Sequence, residues 1–368
     1  MAVLSVAHGL DWDGRIGSTK PLTPIKNMKK MLTLFVALTV WTASLAQDSP
    51  YITKSLANET VNDVYARTSG GGIAVSGVSV SETRIEVYIT ANNNRNTLSK
   101  EEIKKKLEED YNLTVSVSGH KVTAVAEPKH SNMNWKQALN ISFKIYVPQN
   151  VSTDLSTSGG GIDLTNLSGT HNFSTSGGGL DLQKLTGTVR GKTSGGGIDL
   201  ADSGGDITLS TSGGGIHVDD CSGQIRLNTS GGSIELNRLD GTIDASTSGG
   251  PVRGDNIKGE LTAHTSGGGV SLRGLACSVD ASTSGGNMDV EVSQLGKYVT
   301  VSNSGGNINL SLPANQGLNL KLRGNKIKTN NLSNFSGEMS EDNVSGKLNG
   351  GGIPVNVQTS GSVNLAIR

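Results

Sequence analysis

Between residues 157 and 310 the chain repeats a short pattern of apolar and polar positions. Two apolar residues flank one polar residue in Ile162-Asp163-Leu164, and the same triplet returns 18 residues later as Leu180-Asp181-Leu182. Alternation of this kind predicts a short β-strand with both apolar side chains on one face. A fixed period over this length predicts a solenoid, in which equivalent residues of successive coils lie above one another.

A glycine-rich phrase precedes each triplet. It reads TSGGGIDL at 157–164 and continues, with substitutions, to NSGGNINL at 303–310. Its serines stand 18 residues apart from Ser158 to Ser284, and Ser304 follows after 20. The second half of each repeat has the form L-x-G-x-h-x-h, where h is apolar, and predicts a second nonapeptide strand. We expect an all-β protein, a parallel β-helix of 18-residue coils with roughly four inward apolar side chains per coil.

The rest of the chain divides around this repeat. Residues 1–27 are expected to be an upstream extension, and residues 28–46 a signal peptide with Lys29 and Lys30 before an apolar run and a small-residue cleavage site at Ala46. Residues 47–150 predict a small β-rich capping segment with one helix. The β-helix itself is placed at 151–311, and 312–368 are expected to hold C-terminal coils and a cap, with a looped excursion from Gly324 to Asp342.

Local signals define the capping segment. Ser99 and Glu102 form a helix-capping signature that opens a charged helix near 100–110. Alternation predicts strands at 84–89, 113–117, 122–125 and 141–147. One isolated copy of the repeat phrase stands at 68–75. An exposed solenoid end offers unpaired backbone groups, so the expected role of this segment is to cover that end.

Composition narrows the candidate partners. The chain has 50 glycines and 4% aromatic residues, which suits narrow coils. Its formal net charge is zero, and loss of residues 1–46 would leave 27 basic against 30 acidic side chains. This balance indicates no nucleic-acid partner. The apolar run of the leader is too short to predict a stable membrane anchor after cleavage.

The cysteines and one histidine are predicted to be core residues. Cys221 stands at the position that Leu185 occupies in another coil. Cys277 stands at a corner position where other coils have glycine. The two cysteines are about three coils apart, roughly 14 Å, which is beyond disulfide reach. His171 falls at an inward place beside Phe173. Nothing in the spacing of cysteines and histidines indicates a cofactor or a metal site.

The most regular candidate chemistry is the polar position of the triplet. Asp163, Asp181 and Asp199 are predicted to form an outward ladder of carboxylates about 4.8 Å apart. Such a ladder could bind a cation or serve glycoside chemistry, and a solvated ladder is the simpler interpretation. The apolar residues flank the Asp instead of following it by two, so a calcium-dependent β-roll is not favoured. The stacked Thr-Ser pairs predict hydroxyl hydrogen bonds along the axis.

The strand Ile145-Tyr146-Val147-Pro148, followed by repeated S-G-G-x-I-x-L and L-x-G-x-V units, resembles a bacterial adhesin-like β-strand-repeat domain family of unknown function. It is also similar to autotransporter adhesin head domains. The resemblance covers roughly residues 60–368 and implies an exported parallel β-helix of the cell envelope. It carries over no catalytic residue.

These observations predict an exported, non-enzymatic β-helix protein, located in the periplasm or at the cell surface. We expect a structural or adhesin-like module whose partner is a cell-surface glycan or an envelope protein. One alternative is a protein that binds or processes polysaccharide through Asp163, Asp181 and Asp199. The other is a periplasmic partner in envelope-stress sensing.

Overall fold

A computed structural model describes residues 49–92, 98–130, 138–330 and 332–368. The predicted extension and signal peptide lie outside the described residues. Before the repeats the elements are β1 (Ile52–Ser55), β2 (Asp63–Thr68), β3 (Ile73–Gly77), β4 (Arg84–Ala91), α1 (Lys100–Asp110), β5 (Tyr111–Ser118), β6 (Lys121–Pro128) and β7 (Leu139–Val147), with a 3₁₀ turn at Val80–Glu82.

Strands follow one another through the repeats and after them. Through the repeats they are β8 (Ser152–Thr157), β9 (Ile162–Ser174), β10 (Leu180–Lys192), β11 (Ile198–Ala201), β12 (Gly204–Thr211), β13 (Ile216–Asp219), β14 (Ser222–Thr229), β15 (Ile234–Asn237), β16 (Asp240–Thr247), β17 (Val252–Asp255), β18 (Lys258–Thr265), β19 (Val270–Thr283), β20 (Met288–Asn303) and β21 (Ile308–Leu312). After them come β22 (Leu318–Arg323), β23 (Lys326–Thr329), β24 (Phe335–Met339), β25 (Asn343–Leu348), β26 (Ile353–Thr359) and β27 (Ser362–Ile367).

The repeats stack in parallel, as the period predicts. Ile198 pairs with Ile216, and Ile216 pairs with Ile234, so residues 18 apart are neighbours on adjacent strands. The all-β class, with one α-helix in the described part of the chain, is thereby confirmed. No helix within that part is long and apolar enough to cross a lipid bilayer.

The two halves of a coil differ in length. The third coil consists of a four-residue strand, β11, and an eight-residue strand, β12. We call the outer surface of the four-residue strands, with the segments of β9, β10, β19, β20 and β21 in register with them, the short-strand face. The outer surface of the eight-residue strands and of the segments in register with those is the long-strand face.

The interior of each coil has more inward positions than the alternation suggested. In the third coil Ile198, Leu200, Ile207 and Leu209 are buried, and so are Ser203 and Thr211. The position of Ser203 holds Leu185 in the coil before and Cys221 in the coil after, and both are buried. The expectation of four inward apolar residues therefore omitted this corner position. Both cysteines are free, and burial raises the pKa of Cys221 to about 11 and that of Cys277 to about 12.

A buried threonine joins each repeat coil to the coil before it. The hydroxyl of Thr211 donates to the carbonyl of Gly196, in the preceding coil, at 2.8 Å. It also accepts from the backbone N–H of Gly214 at 3.3 Å. The donor bond recurs in every repeat from Thr157 to Thr283 at 2.7–2.9 Å. The predicted hydrogen bonds along the axis are therefore present, but they run from hydroxyl to glycine carbonyl and not between hydroxyls.

Asn303 shows what this position requires. It stands where the other repeats have threonine, and its amide nitrogen donates to the carbonyl of Gly286 at 2.7 Å. Its amide oxygen accepts from the N–H groups of Gly305 and Gly306 at 3.0 Å. An asparagine can replace threonine here because it also carries a donor and an acceptor.

The middle glycine of the phrase is required by the close contact between coils. A Cβ atom on Gly214 would lie 2.1 Å from the carbonyl oxygen of Gly196. The next position is different, since a Cβ on Gly215 would lie 3.2 Å from the nearest backbone atom. Equivalent coils carry Ser233, Pro251 and Asn287 at that next position.

At the N-terminal end, the order of coils in space differs from their order in the chain. Strands β2 and β3 pair in parallel with β8 and β9 on one side, and with β6 and β7 on the other. The phrase at 68–75, predicted as an isolated copy, thus belongs to a coil of the stack. Strands β4 and β1 continue the sheet of β7 in antiparallel orientation, and β5 does the same for β6.

The helix predicted near 100–110 and the strands predicted at 113–117 and 122–125 are confirmed, and β5 and β6 pair as an antiparallel hairpin. The Ser99 hydroxyl accepts from the N–H of Glu102 at 3.2 Å, and the Glu102 carboxylate accepts from the N–H of Ser99 at 2.8 Å. This reciprocal pair satisfies two donors at the start of α1. The helix packs Ile103 toward the core and contacts β5.

The C-terminal end repeats the interleaved order. Strands β26 and β27 pair in parallel with β20 and β21, and β22 and β23 lie on their other side. The looped excursion predicted from Gly324 to Asp342 is wrong, because β23 and β24 lie within it. The prediction that 349–368 restores a coil is confirmed by β26 and β27.

Parallel pairing crosses both predicted domain boundaries, at 150/151 and at 311/312.

The outermost strand of the short-strand face at this end is covered. The N–H of Ile327 in β23 donates to the carbonyl of Glu341 at 2.7 Å, and Lys326 pairs with the Glu341 carboxylate at 3.5 Å. The turn before β25 therefore occupies part of an edge that would otherwise offer free backbone groups.

His171 is buried in the core without full hydrogen bonding. Its Nδ1 lies 3.2 Å from the hydroxyl of Thr153, and its Nε2 has no partner among the described residues. Its side chain stacks in register between Thr153 and Val189. Burial lowers the pKa of His171 from 6.5 to about 4, so the imidazole is neutral at pH 7. The predicted inward placement of His171 is confirmed.

Thr211→Val tests the threonine bond. Valine keeps the shape of the side chain but removes the hydroxyl, so the Gly196 carbonyl loses a donor. We expect the free energy of unfolding to fall by about 1–3 kcal/mol in urea denaturation. Thr211→Ser keeps the hydroxyl and should lose less. Equal losses in the two variants would contradict a role for the hydrogen bond.

Gly214→Ala and Gly215→Ala test the close contact between coils. The first change places a Cβ against the Gly196 carbonyl and should destabilise the protein by about 2–4 kcal/mol, since the backbone must shift. The second adds the same atom where other coils tolerate side chains, and should cost less than about 1 kcal/mol. Thermal unfolding of both variants measures the difference, and a similar loss from each would argue against this explanation.

His171→Val tests the effect of the buried imidazole on stability. Below about pH 6.5 the unfolded chain takes up a proton on His171, whereas the folded protein does so only near pH 4. Stability should therefore fall as the pH drops from about 6.5 to about 4, by about 3 kcal/mol from this residue. Urea denaturation at neutral and acidic pH should show this fall reduced in His171→Val. The exposed His264→Gln variant serves as control, and a pH dependence unchanged by His171→Val would refute the assignment.

Candidate ligand-binding face

The three aspartates predicted as a ladder do lie side by side on the short-strand face. Asp181 pairs in register with Asp163 on one side and with Asp199 on the other. All three are exposed, and adjacent strands of a sheet lie about 4.8 Å apart. None of the three forms an ion pair with a described residue. The structure thus brings the predicted residues together, and a binding role for them stays a prediction.

The surroundings of Asp163 raise the pKa of its carboxyl group. Partial desolvation and then repulsion from Asp181 raise the pKa of Asp163, while Lys144 acts in the opposite direction. Lys144 lies on the same column, since it pairs with Ala74, and Ala74 pairs with Asp163. An excess of negative charge in this part of the face would attract a cationic or hydrogen-bond-donating ligand.

The same column becomes mixed in charge over the next coils. Glu235 lies between His217 and Arg253, at 3.9 Å from the His217 Nδ1 and 3.3 Å from the Arg253 guanidinium. These pairs are largely exposed, so they contribute little to stability. They do end the acidic stretch, which therefore spans three coils only.

At its C-terminal end the column is a ladder of amides. The Asn309 amide donates to the Asp289 carboxylate at 2.6 Å, and the Asn364 amide donates to Asn309 at 2.7 Å. Lys328 of β23 pairs in register with Asn364 and closes the column. Each amide thereby has a fixed orientation, since one end of it is already bonded to its neighbour.

A cleft of about 570 Å³ opens over this amide ladder. Its charged lining consists of Arg273, Asp289, Glu291, Lys328 and Arg368. In the next outward column Ser311 pairs in register with Glu291 on one side and with Ala366 on the other. The short side chains of Ser311 and Ala366 leave the floor of the cleft low. The volume lies within the range of small-ligand pockets, and both charge signs with several amides suit a polyhydroxylated ligand.

Sequence reasoning did not find this cleft. The Asp289 and Asn309 positions follow from the period, and both belong to the predicted outward column. Asn364 and Lys328 come from β27 and β23, which reach the column only because the C-terminal coils are interleaved. The exposed pattern N-x-N at 307–309, followed by V-N-L at 363–365, is the only local signal that could have indicated an amide ladder.

Other reactive side chains lie away from this face. His171, Cys221 and Cys277 are buried in the core, where the raised thiol pKa values keep both cysteines protonated near neutral pH. In the described ranges, no group of three or more His, Cys, Asp or Glu residues is arranged to hold a metal ion. The groups that can meet a ligand in solution are therefore the exposed columns.

Comparison with known proteins places the chain in a family. Residues 78–366 match the family described as Toastrack DUF4097. A search of curated protein sequences finds no match. Among solved structures, a candidate cell adhesion protein from Clostridium sporogenes ATCC 15579 aligns at 12% identity over 86% of this chain and 98% of its own, with a TM-score of 0.18. A candidate adhesin from Bacteroides fragilis NCTC 9343 aligns at 12% identity over 86% of this chain and 96% of its own, with a TM-score of 0.23. The family match spans most of the sequence and confirms the resemblance that the repeat indicated: the chain belongs to the Toastrack DUF4097 family of unknown function.

Proposed function

We propose that the protein is an exported, non-enzymatic, adhesin-like module of the cell envelope, and that its short-strand face binds an extended ligand such as a cell-surface glycan. The observation that carries the proposal is the column of outward polar side chains from Asp163 to Lys328. It offers one side chain per coil, in register, and it ends in the cleft over Asn309 and Asn364.

The shape of this face favours a long ligand. Side chains on successive coils repeat at about 4.8 Å, so a chain molecule lying along the stack can contact many of them in sequence. Each contact is exposed and individually weak. Affinity would come from their number, as is usual when several weak sites bind one partner.

The arrangement of the carboxylates favours binding over hydrolysis. Glycosidases usually place two carboxyl groups on opposite sides of the scissile bond, with a gap that holds the sugar. Asp163, Asp181 and Asp199 instead project from the same side of three adjacent strands, so none of them lies across a gap from another. Export to the envelope rests on the leader features at Lys29, Lys30 and Ala46.

A glycan array tests the ligand proposal. The protein purified from cells that express the full chain should retain a subset of glycans without releasing new reducing ends. Asp181→Asn together with Asp199→Asn should weaken that binding by about tenfold or more, because two charged hydrogen-bonding groups are lost. Asp244→Asn together with Asp280→Asn makes the same charge change on the long-strand face and should leave binding unchanged.

Three outcomes would count against the proposal. Binding that persists in both double variants would exclude the aspartate ladder as the contact surface. Release of reducing ends that the first double variant abolishes would instead support the polysaccharide-processing alternative. Cell fractionation that finds the mature protein in the cytoplasm would contradict the envelope location.

A further inference from the structure

A second groove lies on the long-strand face, near the N-terminal end of the stack. It has a volume of about 420 Å³ and is lined by the charged residues Arg67, Asp154, Arg190 and Lys192. Serine side chains form its floor. Arg67 pairs in register with Ser156, Ser156 with Ser174, and Ser174 with Lys192, so the two serines lie between two cations on one column.

The neighbouring column completes the groove. Asp154, Asn172 and Arg190 follow one another in register on β8, β9 and β10. Thr208 of β12 pairs with Arg190 and extends the hydroxyl lining. The groove therefore has hydroxyl and amide groups along its floor and cations at both ends.

The electrostatics of the groove are positive. Three cations face one carboxylate, Asp154. Lys192 forms no ion pair with a described residue, and Arg190 shares the half-buried Asp206 with Arg226 at 3.3 and 3.7 Å. The acidic ladder of the same coils lies on the other face, so positive and negative surfaces are separated across the stack.

An aromatic ring positions the first cation. The Arg67 guanidinium lies 4.9 Å from the centre of the Tyr65 ring, and the Lys121 ammonium lies 4.6 Å from the same ring. Cation–π contacts of this kind hold long side chains in place without neutralising their charge. Lys121 also extends the positive surface beyond the groove, toward β6.

We propose that this groove binds an acidic polysaccharide, with the sugar chain running along the stacking axis and its carboxylates meeting Arg67 at one end and Arg190 and Lys192 at the other. Arginine binds carboxylates through two parallel N–H donors. The serine hydroxyls and the Asn172 amide can bond the sugar hydroxyls between the charged ends.

The dimensions favour a polymer over a small anion. The backbones of Arg67 and Lys192 are three coil spacings apart, about 14 Å. A chain with an acid group on successive sugars can supply charges to both ends at once. Double-stranded DNA can meet the cations with its phosphates, but its sugars carry no 2′-hydroxyl groups to bond the serine hydroxyls and the Asn172 amide. The site is on the opposite face from the aspartate ladder and does not depend on the function proposed above.

Affinity for polygalacturonate, measured with the full-length protein, tests the proposal, with uncharged dextran and double-stranded DNA as comparison ligands. We expect polygalacturonate to bind, to weaken as salt is added, and to bind more tightly than either comparison ligand. Arg67→Gln together with Lys192→Gln should weaken binding by about tenfold or more. Both side chains are exposed, and circular dichroism would verify that this variant keeps its fold.

The matched control is Lys104→Gln together with Lys105→Gln on α1. It removes the same charge from side chains that are 70% and 74% exposed and that do not line the groove. Affinity for polygalacturonate should stay within about twofold of the wild type. Equal weakening in the two variants would mean that net charge alone drives binding and would overturn the site. The site would also be overturned if the wild type bound DNA or dextran as tightly as polygalacturonate, or if it did not bind polygalacturonate.

Discussion

The hydrogen bond from a buried threonine to the glycine carbonyl of the preceding coil is the interaction on which the rest of the stack depends. It satisfies a carbonyl at the tightest turn, where two backbones approach so closely that the middle glycine admits no Cβ atom. The order T-S-G-G follows from this geometry: a buried donor, an exposed serine, and glycines where the next turn lies against the chain. The Asn303 coil obeys the same requirement with a different side chain.

Once the turns stack in this way, the strands between them are held in register, and every outward side chain becomes part of a column. Function then depends on what each column carries, not on a single pocket enclosed by the fold. The short-strand face carries carboxylates at one end and amides at the other. The long-strand face carries cations over the coils where the first face is acidic. One narrow stack thus presents two surfaces of opposite charge, separated by a layer of apolar side chains.

The period in the sequence was sufficient to predict the parallel stacking, the neighbours of Ile198 and Ile216, and the alignment of Asp163 with Asp181 and Asp199. It failed where spatial neighbours are not 18 residues apart. At both ends of the stack the spatial neighbours come from segments that do not carry the glycine phrase. Strands β6, β7, β22 and β23 lack the 18-residue signature, so Asn364 and Lys328 could not be assigned to the cleft. The basic groove was missed for a similar reason, since Arg67 reaches it from β2.

The interleaving of the end coils changes how the stack can come apart. Strand β27 has β21 on one side and β23 on the other, and β3 is likewise enclosed by β7 and β9. In a solenoid whose coils follow one another in chain order, the terminal strand pairs with one neighbour only, and it can detach by breaking a single ladder of hydrogen bonds. Here β27, the last strand of the chain, lies between two other strands, so tension applied to β27 has to break two ladders together. The interleaved ends should therefore resist being pulled away from the stack more strongly than ends wound in simple order.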